Sequence, residues 1–359
     1  MRLALLSTYH EVCGIATYSE GLVHELESLD VDVTVLAPTL RPGVTARGEQ
    51  PRRLWSHHDA TKAEALHTFV EVLRARADLV HAQVNHGLYS AGFLGTLGAL
   101  CTLARIPLIA TLHGRQGGAE ARRRDVDQLL RALLPAHLLV HNEAHAAELD
   151  RGRVHVIPHG IAVTRWQELD EAKRARGLDV RDRVIAHFGF LHPDKGIEEV
   201  LHALSEQRNV RYRIVGGSFP TPESQRYLGE LRRLVSDLGL DDTTWLPGRF
   251  ASREEVQAEL AAADWVVLNY HTGSSQGTSG AAREALAAGR PLAVSTAPVF
   301  DDLREAAHTL SRPLTEDIGR MLSDRQLMQS ATEKARSYAL AHSWKRIAER
   351  HRALYERLL

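Results

Sequence analysis

Strands alternate with helices along almost the whole chain, and the alternation starts afresh once, which predicts an α/β protein of two doubly wound domains. Three observations carry this. Short apolar runs such as Leu3–Leu6, Pro107–Leu112 and Val184–Phe188 are flanked by segments of helical period. A polar, strongly charged stretch, Thr164–Arg183, interrupts the series at mid-chain. The stretch Tyr270–Ser295 compresses the unit into one piece: the apolar Asp264–Asn269 leads into a loop of Gly, Ser, Thr, His and Gln, then a helical pattern over Ala281–Ala288. Gly289 then reads as a helix C-cap, Pro291 forbids continuation, and Pro291–Ser295 is the next strand.

In chain order, Leu3–Leu6 is a buried strand and Ser7–Gly14 its following loop. Ile15, Tyr18, Leu22, Leu26 and Leu29 recur at helical spacing, and Val31–Leu36 is the second strand. Leu79–His81, Pro107–Leu112, Leu138–Val140 and Val154–Ile157 continue the series, with helical segments such as Ala91–Ala104 between them. Thr164–Arg183 reads as a linker. The second series follows: strand Val184–Phe188, helix Ile197–Glu206, strand Tyr212–Val215, helix Glu223–Leu238, strand Thr243–Leu246 and helix Arg253–Ala261. The tail, Ser343–Leu359, places Trp344, Ile347, Leu354 and Leu358 on one helical stripe suited to packing across domains. The expected domains are 1–165, 166–340 and a helix over 341–359 that returns to the first.

Composition bounds the function. The chain has 359 residues, 44% hydrophobic and 25% charged, as ordinary globular proteins do. A net charge of −1 gives no electrostatic reason to expect nucleic acid. Two cysteines, Cys13 and Cys101, fit a reducing compartment, and MRLALLS is too short for a signal peptide, so a cytoplasmic location is expected. No apolar run approaches membrane-spanning length. Twenty histidines include no HExxH, and His137, His141 and His145 straddle a strand and a helix, so no metal site is expected. The basic run Arg122–Arg124 beside Gly114–Gly118 also holds Glu120, Asp125 and Asp127. It reads as a self-paired helix face, and any membrane contact is peripheral.

The loops after the strands gather where a doubly wound fold binds ligands. They contain Gly14; His113 and Gly114; Pro158, His159 and Gly160; Gly189–Gly196 with His192 and Lys195; Gly216 and Gly217; and Gly273–Gly280. Free backbone N–H groups in such loops, at the positive ends of helices, suit an anion such as phosphate.

On these residues the chain resembles the retaining, nucleotide-sugar-dependent glycosyltransferases of family 4, which have the GT-B fold. The matching segments are CGIATYSEGLVHEL, TLHG, VHVIPHGI, HFGFLHPDKGIEEVLHAL, the Ala263–Asn269 strand, REALAAGRPLAVS and the tail SWKRIAERHRALY. The resemblance implies two Rossmann-like domains facing each other across a cleft, the first for the acceptor and the second for the nucleotide sugar. It implies that Gly14 approaches the donor diphosphate, that His113 contributes hydrogen bonds beside the reacting sugar, and that Lys195 offsets charge on the leaving diphosphate. Glu284 would accept from the ribose hydroxyls, and the amides of Gly277, Thr278, Ser279 and Gly280 would cradle phosphate, with Gly189 and Gly216 lining the same site. No cofactor is implied, since the nucleotide-diphosphate sugar is a substrate, and the acceptor is not specified.

Two positions depart from the family pattern. Its first acid falls at Gln276, so the two-acid motif reads Gln-x7-Glu, and the phosphate-binding Arg is replaced by Phe190, with His192 a partial substitute. Gln donates as well as accepts but supplies no negative charge. Asp30-Val31-Asp32 and Asp125-Val126-Asp127 do not resemble a metal-binding DxD. The resemblance therefore implies a metal-independent, same-face transfer in which the leaving phosphate takes the acceptor proton. A degenerate GT-B chain that binds nucleotide or activates a partner, and a GT-B nucleotide-sugar epimerase, are the alternatives.

Overall fold

The computed structural model describes the chain except residues 12, 41–43, 45, 47, 86, 116–126, 150–151, 219–221 and 273–275. It divides into two compact units. The first takes in residues 1–160, 275–278 and 342–359; the second takes in 161–274 and 279–341.

The first unit carries strands β1 (Arg2–Leu6), β2 (Asp32–Pro38), β3 (Arg52–Trp55), β4 (Leu79–Val84), β5 (Leu108–Leu112), β6 (Gly114–Arg115), β7 (His137–Val140) and β8 (Val154–Val156). All but β6 form one parallel sheet in the order β3-β2-β1-β4-β5-β7-β8. The order reverses at β1 and β4, the switch point of a doubly wound sheet. The strands are apolar on both faces because helices cover both: Leu3, Ala4, Leu5 and Leu6 are all essentially inaccessible. β3 was not expected. Its sequence RRLW has one fully buried side chain, Trp55, as suits an edge strand.

The C-terminal helix Trp344–Leu358 belongs to this first unit. Its stripe buries Trp344, Ile347, His351, Leu354 and Tyr355. Trp344 seats against Gly21 and Gly160, where a Cβ would come within 2.6 Å and 2.2 Å of its indole, so both positions need glycine for the tryptophan to fit.

The second unit carries β9 (Arg183–Phe188), β10 (Val210–Val215), β11 (Thr244–Trp245) and β12 (Trp265–Leu268). The short β13 (Gln276–Gly277) follows in sequence, then β14 (Leu292–Val294) and β15 (His308–Thr309). Its parallel sheet runs β11-β10-β9-β12-β14-β15 and reverses at β9 and β12. Alternate residues of β9 enter separate cores: Val184 and Ala186 join one cluster, Ile185 the other. The stretch Thr164–Arg183 is not a linker. It holds the helix Leu169–Ala175, whose Lys173 is 2% exposed, 2.8 Å from Asp264 Oδ2, and donates to the Asp182 carbonyl oxygen at 2.7 Å. Charge that suggested a linker ties the helix to the residues just before β9 and β12, the central strands of the sheet. Gly289, at φ +68°, ends the helix Gly280–Ala287 as expected, and no described helix is long and apolar enough to cross a membrane.

Candidate active site

In the second unit, most of the expected donor residues stand at the carboxyl ends of β9 and β12, on either side of the switch point. After β9 the chain passes Gly189 (φ +145°), forms an isolated bridge at Leu191, and makes one 3-10 turn, Pro193–Lys195, before the helix Ile197–Ser205. Gly216, after β10, backs onto this loop. A Cβ at Gly216 would lie 1.9 Å from the Gly189 carbonyl oxygen, so the two backbones meet only because residue 216 is glycine.

Lys195 closes the 3-10 turn. Its Nζ lies 3.1 Å from Asp194 Oδ2 and 4.0 Å from the centre of the Tyr270 ring, and its side chain is 18% exposed. His192 Nδ1 meets the other oxygen of the same carboxylate at 2.7 Å. The backbone of Asp194 is pinned in turn, accepting from the His271 N–H at 2.9 Å. Asp194 therefore holds the imidazole and the ammonium side by side, while Tyr270 gives the cation a ring face. Neither residue stood out in the sequence; that Asp194 sits between His192 and Lys195, and that Tyr270 is the first large side chain past β12, were the available signals.

The helix Gly280–Ala287 is capped by Ser279, whose hydroxyl accepts from the Ala282 N–H at 3.2 Å. Glu284, on this helix, accepts from Arg253 at 3.2 Å and Gln257 at 2.7 Å. A carboxylate has about four lone-pair sites, so these two bonds leave capacity for a ribose hydroxyl. Phe190, at the position of the family's arginine, is exposed and meets Phe250 edge to face, ring centres 5.8 Å apart. Gly273 lies outside the described residues, as do Gln116, Gly117 and Gly118 of the GRQGG loop and Arg122–Arg124.

The first unit holds Gly14, His113 and the backbone of Gln276, Gly277 and Thr278. Gly14 opens the helix Gly14–Ser28, and among the described residues nothing beyond its chain neighbours and its own helix backbone lies within 4 Å of a Cβ placed there. No contact among the described residues requires glycine at that place, in contrast to Gly216. β13 pairs antiparallel with β6, Gln276 opposite Arg115 and Gly277 opposite Gly114, which sets this segment beside the residues following His113. The side chain of Gln276 lies outside the described residues.

His113 ends β5 and is the centre of a polar cluster that the sequence did not reveal. Its Nε2 lies 2.7 Å from Gln83 Oε1 and its Nδ1 3.4 Å from His141 Nε2. Tyr18 abuts the His113, His141, His159 and Trp344 rings at centroid distances of 4.7 to 5.2 Å. Burial, then the neighbouring His159 and His81, push the His113 pKa down to about 3. The usable signal was on β4, where His81 and Gln83 are the polar pair, two residues apart, in an otherwise apolar strand.

Residues 12–165 match Glycosyltransferase Family 4, and residues 169–338 match Glycosyl transferases group 1. The D-inositol 3-phosphate glycosyltransferase of Corynebacterium efficiens is 27% identical over 321 residues, covering 77% of this chain and 70% of that protein. Sucrose-phosphate synthase from Thermosynechococcus elongatus has the same fold, with a TM-score of 0.75 at 20% identity, over 100% of this chain and 99% of that one. So does Anabaena HepE, solved in complex with UDP and glucose, with a TM-score of 0.73 at 17% identity over 99% of both chains. Two sheets with internal switch points, a lysine and glycines at the carboxyl end of one, and family matches that together span residues 12–338 agree: the chain belongs to the family 4 glycosyltransferases and has the GT-B fold.

Proposed function

We propose that this glycosyltransferase moves a sugar from a nucleoside diphosphate sugar to an acceptor hydroxyl, with retention of anomeric configuration and without a metal ion. The observation that carries the reading is Lys195. It is a mostly covered cation at the switch point of the second unit, braced by Asp194 and Tyr270 rather than engaged in a deeply buried ion pair. Negative charge grows on the departing diphosphate as the glycosidic bond breaks, and a preorganised ammonium stabilises that state more than the ground state. That Anabaena HepE was solved with UDP and glucose supports a nucleotide-sugar donor here.

In the proposed step the acceptor oxygen forms a bond to the anomeric carbon on the face from which the diphosphate leaves. The bond from that carbon to the diphosphate oxygen breaks, and the acceptor proton passes to a departing phosphate oxygen. In the second unit Lys195 offsets the charge, Gly189, Gly216 and the amides of Ser279 and Gly280 take phosphate, and Glu284 takes the ribose hydroxyls; in the first unit Gly14 and the amides of Gly277 and Thr278 are the phosphate-binding candidates. His113 stands beside the reacting sugar, and the acceptor is received by residues of the first unit. Protein cations and amides then do the work of charge stabilisation that a metal ion does elsewhere.

The test is turnover of UDP-, GDP-, ADP- and dTDP-sugars with and without EDTA, with the product anomer read by NMR. Release of nucleoside diphosphate in the presence of chelator, with the donor's configuration kept, is expected. Activity abolished by EDTA and restored by a divalent ion contradicts the metal-free step. Tight nucleotide binding with no turnover of any donor favours the non-catalytic alternative, for which Phe190 in place of a phosphate-binding arginine is the specific observation.

A further inference from the structure

Lys195 and the N-terminus of the helix Gly280–Ala287 lie far apart in sequence and are joined in the second unit by one side chain, Tyr270. The Lys195 ammonium stands 4.0 Å from the centre of the Tyr270 ring, and the Tyr270 hydroxyl is hydrogen-bonded to the Ser279 side chain. Ser279 is the N-cap of the helix, and its hydroxyl accepts from the Ala282 N–H at 3.2 Å. From the other side Arg283, 2% exposed and paired with Asp302, donates to the Ser279 carbonyl oxygen at 3.3 Å. The Tyr270 hydroxyl also comes within 3.4 Å of the point where a Cβ of Gly189 would stand. One residue thus touches the lysine, the loop after β9 and the cap of the helix.

Tyr270 is itself held in place. Its carbonyl oxygen accepts from the Ser295 hydroxyl at 2.6 Å, and its ring packs against Phe300, centres 4.9 Å apart. The next residue, His271, donates its backbone N–H to the Asp194 carbonyl oxygen at 2.9 Å, which ties this segment to the turn that carries Lys195. A ring that only filled the core would serve as well without its oxygen, because a covered hydroxyl costs free energy unless it is bonded. Tyr270 is 6% exposed, and Ser279 meets its hydroxyl.

The lysine needs such a support. Its ammonium is a point charge on a flexible stem. Asp194, 3.1 Å away, holds it but offsets its charge. A ring face attracts the cation without cancelling the charge, which stays available to an anion.

We propose that Tyr270 is a positioning residue of the transferase. Its ring holds Lys195 and its hydroxyl holds the N-cap of the helix Gly280–Ala287, so the ammonium and the free N–H groups of the first turn meet one diphosphate in a fixed arrangement. This rests on the reading of Lys195 as the cation on the leaving diphosphate.

The test is a double-mutant cycle on the full chain in EDTA, with circular dichroism to check folding. It is read as kcat and as affinity for inorganic pyrophosphate, which carries the charge of the leaving group without a base. Tyr270→Phe keeps the ring and should lose about threefold in each, and Tyr270→Leu, which loses both parts, about tenfold or more. In a Lys195→Ala background the ring has nothing left to hold, so Tyr270→Leu should cost no more than Tyr270→Phe, about threefold. A gap between the phenylalanine and leucine variants that is the same with and without Lys195 marks a ring that serves packing alone, and it overturns the proposal. So does wild-type behaviour of Tyr270→Phe. If Lys195→Ala binds pyrophosphate and turns over donor as wild type does, the reading of Lys195 fails and the proposal falls with it. If Lys195→Ala loses both and the gap persists unchanged, that reading stands and only the role of Tyr270 is refuted.

Discussion

Mild acid should destabilise both units before any carboxylate with a lowered pKa is protonated. His351 in the first unit and His187 in the second are fully buried, and burial pushes each down to about 4. Unfolded, each returns to about 6.5. Between those values the unfolded chain binds protons that the folded chain refuses, so stability falls as pH drops through 6.5. From pH 7 to pH 5 the loss is on the order of 2 kcal/mol for each of these two histidines. Fully buried His81 and half-buried His113 add to the loss in the first unit. Glu64 and Asp78 have pKa values below the usual carboxylate range and contribute nothing in this window. The assay is urea unfolding at pH 7 and pH 5, followed by fluorescence and circular dichroism. Trp55 and Trp344 report the first unit and Trp166, Trp245 and Trp265 the second. A urea midpoint unchanged between the two pH values refutes the reasoning, because it means these rings titrate normally in the fold. In His351→Gln the first unit's pH dependence should shrink.

Three further outcomes are expected. Lys195→Ala should lower kcat roughly 10²-fold or more without unfolding the chain, checked by steady-state kinetics and circular dichroism. Gly216→Ala drives a Cβ against the Gly189 backbone and should cost about 1–3 kcal/mol of stability, read as a lower urea midpoint, together with weaker nucleotide binding. Gln276→Glu separates two histories of this position on a donor panel. If Gln276 donates to an acceptor-only group of the native donor, the carboxylate should cost about 1–3 kcal/mol of donor affinity; if the chain has lost the family's charge, kcat on a common donor should rise.

How much was legible in the sequence follows from how local each feature is. β9 was plain because both faces of the strand are buried, so the apolar run is unbroken. β3 and β15 were not: they are sheet edges of four and two residues, held by pairing with distant segments. Thr164–Arg183 misled because composition reports charge but not its partner, and Lys173 finds Asp264 across 91 residues. The glycine loops and Lys195 could be read because they follow strands at fixed places. Asp194 and Tyr270 needed geometry. Of the His113 cluster only the polar pair His81 and Gln83 on an apolar strand was visible, since most of its bonds join residues far apart in sequence, as His81 and Tyr355 are at 274 residues.

The most direct test of the central claim is calorimetric titration of the full chain with UDP, GDP, ADP and dTDP, in parallel with Lys195→Ala. Saturable binding of at least one nucleoside diphosphate in the presence of EDTA, weakened by the substitution, is the predicted result. If none of the four binds, or if Lys195→Ala binds as tightly as wild type, Lys195 does not hold the leaving diphosphate and the account is contradicted.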